Sequence, residues 1–277
     1  MIKKDKKYYF LVGMPRSGNT MLASILNQNK KISVTANSLI ATTIWNLHKE
    51  KQTNLSFLNF PDHDSYDNIT KSVFDLYYKN WDAEVILDRA SWGAKNNIEM
   101  INLYCPNKPK FIVLLRDVKE ILASFIKWSN ENENNFLNHE TNNASVEEKC
   151  EFLMKPEFQI VQEYSAIYNL YNNTDKYDCL FIKYNDLVNN TSQEIEKIYS
   201  FLQLENFNHD FNKLDQLSIN NIQYNDSVVG NNLHKVKEDG IYFSEYSAED
   251  YLPESIIKKY SNLNFWDTEE KTLTSVW

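Results

Sequence analysis

Residues 10–26 read FLVGMPRSGNTMLASIL, and Gly13, Gly18 and Thr20 within them stand at the spacing of a phosphate-binding loop. In the pattern G-x-x-x-x-G-K-[ST], backbone N–H groups cradle phosphates and the lysine reaches the β and γ groups of a triphosphate. Here Asn19 takes the lysine position, and the loop's basic residue is Arg16, behind Pro15. Asn19 donates a hydrogen bond but supplies no charge. Successive N–H groups at a helix N-terminus still favour an anion through the nest and the helix dipole. Arg16 adds a planar fork suited to oxygens that develop negative charge. The loop therefore points to a phosphate-like ligand less charged than a magnesium triphosphate.

Two further groups carry chemistry. In FIVLLRDVKEILASF, Arg116 ends an apolar run and Ser124 follows eight positions later, a little over two helical turns. The pair meets at one phosphate if the helix runs back past the strand end. In EVILDRAS, Asp88 and Arg89 close another apolar run. Asp88 reads in three ways: an ion-pair partner of Arg89 or Arg116, a magnesium-holding acid, or a base.

The elements that must position these groups are short apolar strands at residues 8–13, 84–88, 110–116 and 178–183. Helical periodicity falls between them at residues 64–80, 96–104, 118–128 and 145–172. Strands alternating with helices predict an α/β fold: a doubly wound, mainly parallel sheet flanked by helices, like that of phosphate-loop nucleotidases. Such sheets bind ligands at the carboxyl ends of their strands, where the glycine loop, Asp88, Arg89 and Arg116 all lie. The Asn-rich stretch 129–145 lacks periodicity and is expected to be a mobile loop. Nothing in the composition marks a linker, so residues 1–277 are expected to form one domain.

With 29 Lys and Arg against 38 Asp and Glu, the formal charge is -9, which opposes general binding to nucleic acid or anionic lipid. The three cysteines, Cys105, Cys150 and Cys179, are widely spaced and form no C-x-x-C pair. They are expected to be buried thiols in a reducing compartment, and no metal site is expected. No apolar stretch approaches the length of a membrane span. The opening MIKKDKKYYF carries no signal-peptide apolar region, so a cytoplasmic location is expected.

From residue 10 to about 240 the sequence resembles the PAPS-dependent sulfotransferases, which share the phosphate-loop fold. Their 5′-phosphosulfate loop reads P-[RK]-S-G-[ST]-T and stands here as Pro15, Arg16, Ser17, Gly18, Asn19 and Thr20, with Asn19 the departure. Their 3′-phosphate site, an Arg and a Ser eight residues apart at a strand-to-helix junction, is matched by Arg116 and Ser124. The family's Y-E-D-L motif appears as Tyr184, Asn185, Asp186 and Leu187, its tyrosine belonging near the adenine. A basic closing segment resembles LHKVK, with Lys235 and Lys237 on the nucleotide. The resemblance implies PAPS as donor and PAP as product, which explains a loop without the triphosphate lysine. An arginine in the loop is similar to the tyrosylprotein and bacterial branch. That branch places a catalytic lysine after its second strand, where this chain has Arg89. Arg16 and Arg89 are then expected at the bridging and sulfonate oxygens.

The branch also implies a glutamate soon after the first helix, but ISVTANSLIATTIWNLHKE holds no acid before Glu50. Asp88, His48, Asp62 and His63 remain as candidates for the base, with Asp88 placed among the catalytic residues. His234 is expected to be structural. Trp45, Tyr77, Tyr78, Trp81 and Trp92 stand as either acceptor-pocket rings or core. The acceptor, a glycan, peptide tyrosine, lipid or small-molecule hydroxyl or amine, is not legible, nor is the oligomeric state. Two alternatives stay open: a nucleotide-dependent kinase and a noncatalytic nucleotide-binding protein.

Overall fold

The computed structural model describes residues 6–241 and 246–267. Its centre is a five-stranded parallel sheet of β1 (Lys7–Gly13), β2 (Ile32–Val34), β3 (Val85–Arg89), β4 (Lys110–Leu115) and β5 (Asp178–Lys183), in the order β2-β3-β1-β4-β5. The inner strands read as continuous apolar runs because both faces are covered. From β1, Tyr9 and Leu11 pack on one side with α1 (Asn19–Leu26), whereas Phe10 and Val12 pack on the other with Trp92 and Ile121. Helices therefore lie on both faces, and the carboxyl ends of β1, β3, β4 and β5 open onto one crevice.

β2 was absent from the expected strands. It is only three residues long, and it is held at the sheet edge by pairing Ile32–Val34 with Val85–Leu87. Between β2 and β3 lie α2 (Ile40–Thr53), α3 (Leu55–Asn59), α4 (His63–Lys71) and α5 (Val73–Tyr77). The helix expected over residues 64–80 is thus two, parted at Ser72, whose hydroxyl donates back to the Asn68 carbonyl at 2.7 Å. α6 (Lys95–Tyr104) follows β3 as expected.

After β4, α7 (Val118–Glu131) continues past the expected end, and α8 (Phe136–Glu140) follows. Residues 129–145 therefore do not form the structureless loop their composition suggested. The asparagines serve as caps: Asn135 accepts from the Asn138 N–H at 2.9 Å, and Ser129 donates to Asn138 at 2.7 Å, while Leu137 is buried beneath them. The long helix expected to 172 is split into α9 (Val146–Leu153) and α10 (Gln159–Tyr171) around Pro156, which has no N–H to continue a helix. α11 (Tyr184–Asn189) and α12 (Thr191–Leu202) complete the layer behind β5.

Beyond the sheet, Asn220 and Asn221 take left-handed φ of 51° and 63° and turn β6 (Ser218–Ile219) onto β7 (Ile222–Gln223). The chain then crosses the mouth of the crevice before α13 (Glu254–Lys259). It is pinned there by the Trp128 indole on the Asn231 carbonyl at 2.9 Å, the Phe136 N–H on the Val229 carbonyl at 2.9 Å, and Gly230. Gly230 has φ 127°, and a Cβ there would stand 2.7 Å from Trp128 and 2.8 Å from Asn135. Only glycine meets both demands.

Candidate active site

β1 delivers Gly13 to the crevice, and the loop after it is built from its own side chains. The Ser17 hydroxyl donates to the Met14 carbonyl at 2.6 Å, and the Asn19 amide donates to the carbonyls of Met14 at 2.9 Å and Gly13 at 3.2 Å. Both side chains are buried. Ser17 and Asn19 were expected to hold the ligand, but their side chains are turned inward and fasten the loop. The position occupied by lysine in triphosphate enzymes here staples the turn. Helix α1 starts from Gly18 at φ 93° with no side-chain cap, so its first N–H groups face the crevice unpaired by any cap. A Cβ on Gly18 would lie 2.9 Å from the Tyr184 ring, which explains glycine at that point.

Arg16 sits at the crest of the loop with φ 65°, an unfavourable conformation for a residue with a Cβ. Its Nε donates to Ser124 Oγ at 3.1 Å, and a second nitrogen donates to the Leu233 carbonyl of the crossing segment. Burial above all, and the nearby Arg116 charge, press its pKa below the usual arginine value. Arg116, carried to the strand end by β4, donates to the Arg16 carbonyl at 2.6 Å and to Glu120 at 3.1 Å. Its guanidinium lies 4.2 Å from the centre of the Tyr184 ring. Tyr184 thus braces Arg116 and the loop together. Asp117 caps α7 by accepting from the Lys119 N–H at 2.8 Å, which sets the helix direction that brings Ser124 back to the loop.

These groups share one cavity of about 970 Å³, at the upper end of the ~300–1,000 Å³ common for ligand pockets. Pro15, Arg16, Gly18, Asn19, Thr20, Arg89, Arg116, Ser124, Tyr184, Lys235 and Lys237 of the expected site residues all border it, and Ser17 and Asp88 do not. Lys127 and the rings of Phe125, Trp128, Phe136, Phe158 and Tyr246 border it as well. Trp128 stands four residues after Ser124 on the same helix face, a spacing that in retrospect signals the shared cavity. The rings singled out in the sequence lie elsewhere. Tyr78 and Trp92 are core, Trp81 packs on Tyr78, and Trp45 and Tyr77 are partly exposed away from the cavity.

Asp88 requires a correction. It pairs with neither arginine and is fully buried. It accepts from Ser38 at 2.8 Å, from the Trp92 indole at 2.7 Å and from the Tyr78 hydroxyl. Burial raises its pKa against the lowering effect of those donors. A carboxyl so enclosed has no path to an acceptor proton and no lone pair directed to a metal in the cavity; it fastens β3 to its neighbours. Asp88→Ala leaves three buried donors without an acceptor and is expected to remove about 3–5 kcal/mol of stability. Urea denaturation measures this, and unchanged stability with lost turnover would return Asp88 to the catalytic set. The other base candidates are also remote. His48 meets the Tyr104 hydroxyl at 2.9 Å, Asp62 caps α4 through the Ser65 N–H at 3.0 Å, and His63 packs edge-on against Phe57.

Arg89, at the end of β3, donates to the Tyr224 hydroxyl at 2.9 Å. The Tyr224 ring lies flat on His234, 3.8 Å between centres and 3° between planes. His234 also borders the cavity. Glu163, buried behind Arg89 with its pKa pushed up to about 7 by burial, accepts from Ser91 at 2.6 Å and does not reach the cavity.

The sulfotransferase family model matches residues 9–209 of the chain. The chain belongs to the sulfotransferase family. Solved sulfotransferases share its fold: a mouse sulfotransferase in complex with PAP is 13% identical with a TM-score of 0.57, covering 95% of this chain and 86% of its own. The sulfotransferase domain from the curacin biosynthetic pathway is 15% identical with a TM-score of 0.52, covering 98% and 94%. That of the Synechococcus PCC 7002 olefin synthase is 14% identical with a TM-score of 0.51, covering 82% and 84%. Among curated proteins, no sequence matches significantly. The sulfotransferase match begins within β1 and ends beyond α12, so it contains the loop, Arg89, Arg116, Ser124 and Tyr184 but not the crossing segment.

Proposed function

We propose that this sulfotransferase moves a sulfuryl group from PAPS to a hydroxyl or amine acceptor and releases PAP. The observation that carries the reading is the 3.1 Å contact between Arg16 and Ser124. It brings the phosphate loop and the strand-to-helix pair to one cavity, matching a ligand with a 5′ phosphosulfate and a nearby 3′ phosphate. The N–H groups of α1 and Arg16 serve the 5′ end, and Ser124 with Arg116 serves the 3′ phosphate. Tyr184 offers the face of its ring beside them, and Lys235 and Lys237 border the same cavity from the crossing segment. Arg16 and Arg89 supply the positive charge that stabilises the departing phosphate oxygen and the sulfonate.

The kinase alternative loses support from the same geometry. The Asn19 amide supplies no charge and is engaged by the carbonyls of its own loop, and Asp88, the acid best placed in sequence for magnesium, is enclosed by three donors. The apolar rings beside Ser124 favour an acceptor with an apolar or aromatic body. Among the described residues no helix is long and apolar enough to cross a membrane. The proposal includes a cytoplasmic setting, in which the three free thiols would stay reduced. Calorimetric titration with PAP in the absence of metal tests the donor assignment; ATP binding only with magnesium would replace it.

A further inference from the structure

The family's glutamate is missing, and the acids read from the sequence lie outside the cavity. Of the groups that border it, Glu131 faces Lys127 at 3.8 Å and Glu157 lies by the outer rings, whereas His234 lies beside Arg16 and Arg89 and is backed by an acid from outside the cavity. Asp226, in the turn after β7, accepts from His234 Nδ1 at 2.6 Å through one oxygen and from the His234 backbone N–H at 2.9 Å through the other. A carboxylate only accepts, so Nδ1 carries the proton and Nε2 holds the lone pair. Among the described residues Nε2 has no hydrogen-bond partner. Tyr224 fixes the ring plane by stacking, and Tyr224 is itself held by Arg89. Arg16 binds the carbonyl of Leu233, the residue before the histidine. The imidazole is therefore tied to both arginines of the reaction site.

We propose that His234 is the general base of this sulfotransferase and Asp226 its positioning residue, an assignment that rests on the PAPS reading above. The acceptor O–H or N–H gives its proton to His234 Nε2 as the acceptor atom bonds to sulfur. The bond from sulfur to the 5′ phosphate oxygen breaks, and its electron pair leaves with PAP. The imidazolium then returns its proton to water.

The charges around the ring suit this task. Arg16 from the loop, Arg89 from β3 and Asp226 from the segment after β7 act on His234, Tyr224 stacks on its ring, and Lys235 and Glu238 border the pocket on its other side. Burial is the largest influence and lowers the pKa from the usual histidine value; Asp226 opposes it, and Arg89 and Arg16 add to the lowering. The base is thus neutral at pH 7, and turnover falls as pH drops through that lowered pKa. Asp226→Asn removes the opposing carboxylate, so the acid limb of kcat/KM moves to still lower pH.

The test combines four measurements on the full chain, one of them the pH profile of kcat/KM in wild type and Asp226→Asn. Radiolabelled PAPS turnover over a panel of phenols, alcohols, amines and water is expected to fall about 100-fold or more in His234→Gln. PAP affinity by calorimetry is expected to stay within about twofold. NMR of ring-labelled histidine should show a neutral Nδ1–H tautomer at pH 7 without any ligand. Full turnover by His234→Gln, an Nε2–H tautomer, an acid limb unmoved by Asp226→Asn, or a wild type that binds PAP but turns over PAPS with no acceptor would each overturn the assignment. A wild type that fails to bind PAP is a separate result: it removes the donor reading, and the base with it.

Discussion

Arg16→Ala is expected to lower turnover of PAPS by about 100- to 1,000-fold while weakening PAP by less than about tenfold. The asymmetry follows from where the guanidinium lies. PAP lacks the sulfonate, and in the proposed site its phosphates would keep the α1 N–H groups, Arg116 and Ser124. On the proposed reading, the charge that grows on the bridging oxygen as the sulfuryl group departs is met chiefly by Arg16. Arg16→Lys should recover only part of the loss, because an ammonium cannot hold Ser124 and the Leu233 carbonyl at once as the planar fork does. Since Ala and Lys carry the same Cβ at φ 65°, neither relieves nor adds backbone strain, and the comparison isolates the side chain. Steady-state rates with labelled PAPS and calorimetry with PAP measure the two quantities, and equal losses in both would confine Arg16 to ground-state binding.

Arg116→Ala is expected to weaken PAP by about 1.5–3 kcal/mol, or roughly 10- to 150-fold. Two effects act together. The variant removes the charge assigned by the proposal to the 3′ phosphate, and it removes the donor that holds the Arg16 carbonyl at 2.6 Å, so the crest of the loop loses its support. Ser124→Ala, which removes one hydroxyl, should cost less, about 0.5–1.5 kcal/mol. PAP affinity unchanged in Arg116→Ala would remove the 3′-phosphate assignment.

What the sequence made legible was local. The loop spacing, the eight residues from Arg116 to Ser124, and the four long apolar strands each depend on neighbours in the chain. What it hid depends on distant partners. Asp88 looked available because the donors Ser38 and Tyr78 arrive from separate segments. Asn19 looked like a weakened ligand, although its hydrogen-bond partners are carbonyls of its own loop. The Asn-rich stretch after α7 hid its helix because asparagine is a poor helix former but a good cap, and capping depends on where Leu137 is buried. His234 was passed over for the same reason: the Asn220–Asn221 turn and Gly230 bring it over the crevice. None of these residues carries a periodic signal.

The cavity beside Arg16 and Ser124 is the proposed PAPS site. Titrating the purified protein by calorimetry with PAP in metal-free buffer, and in parallel with ATP and magnesium, tests it directly. PAP is expected to bind without metal, and ATP at least tenfold more weakly, about 1.4 kcal/mol. Tight magnesium-dependent ATP binding with no response to PAP would contradict it.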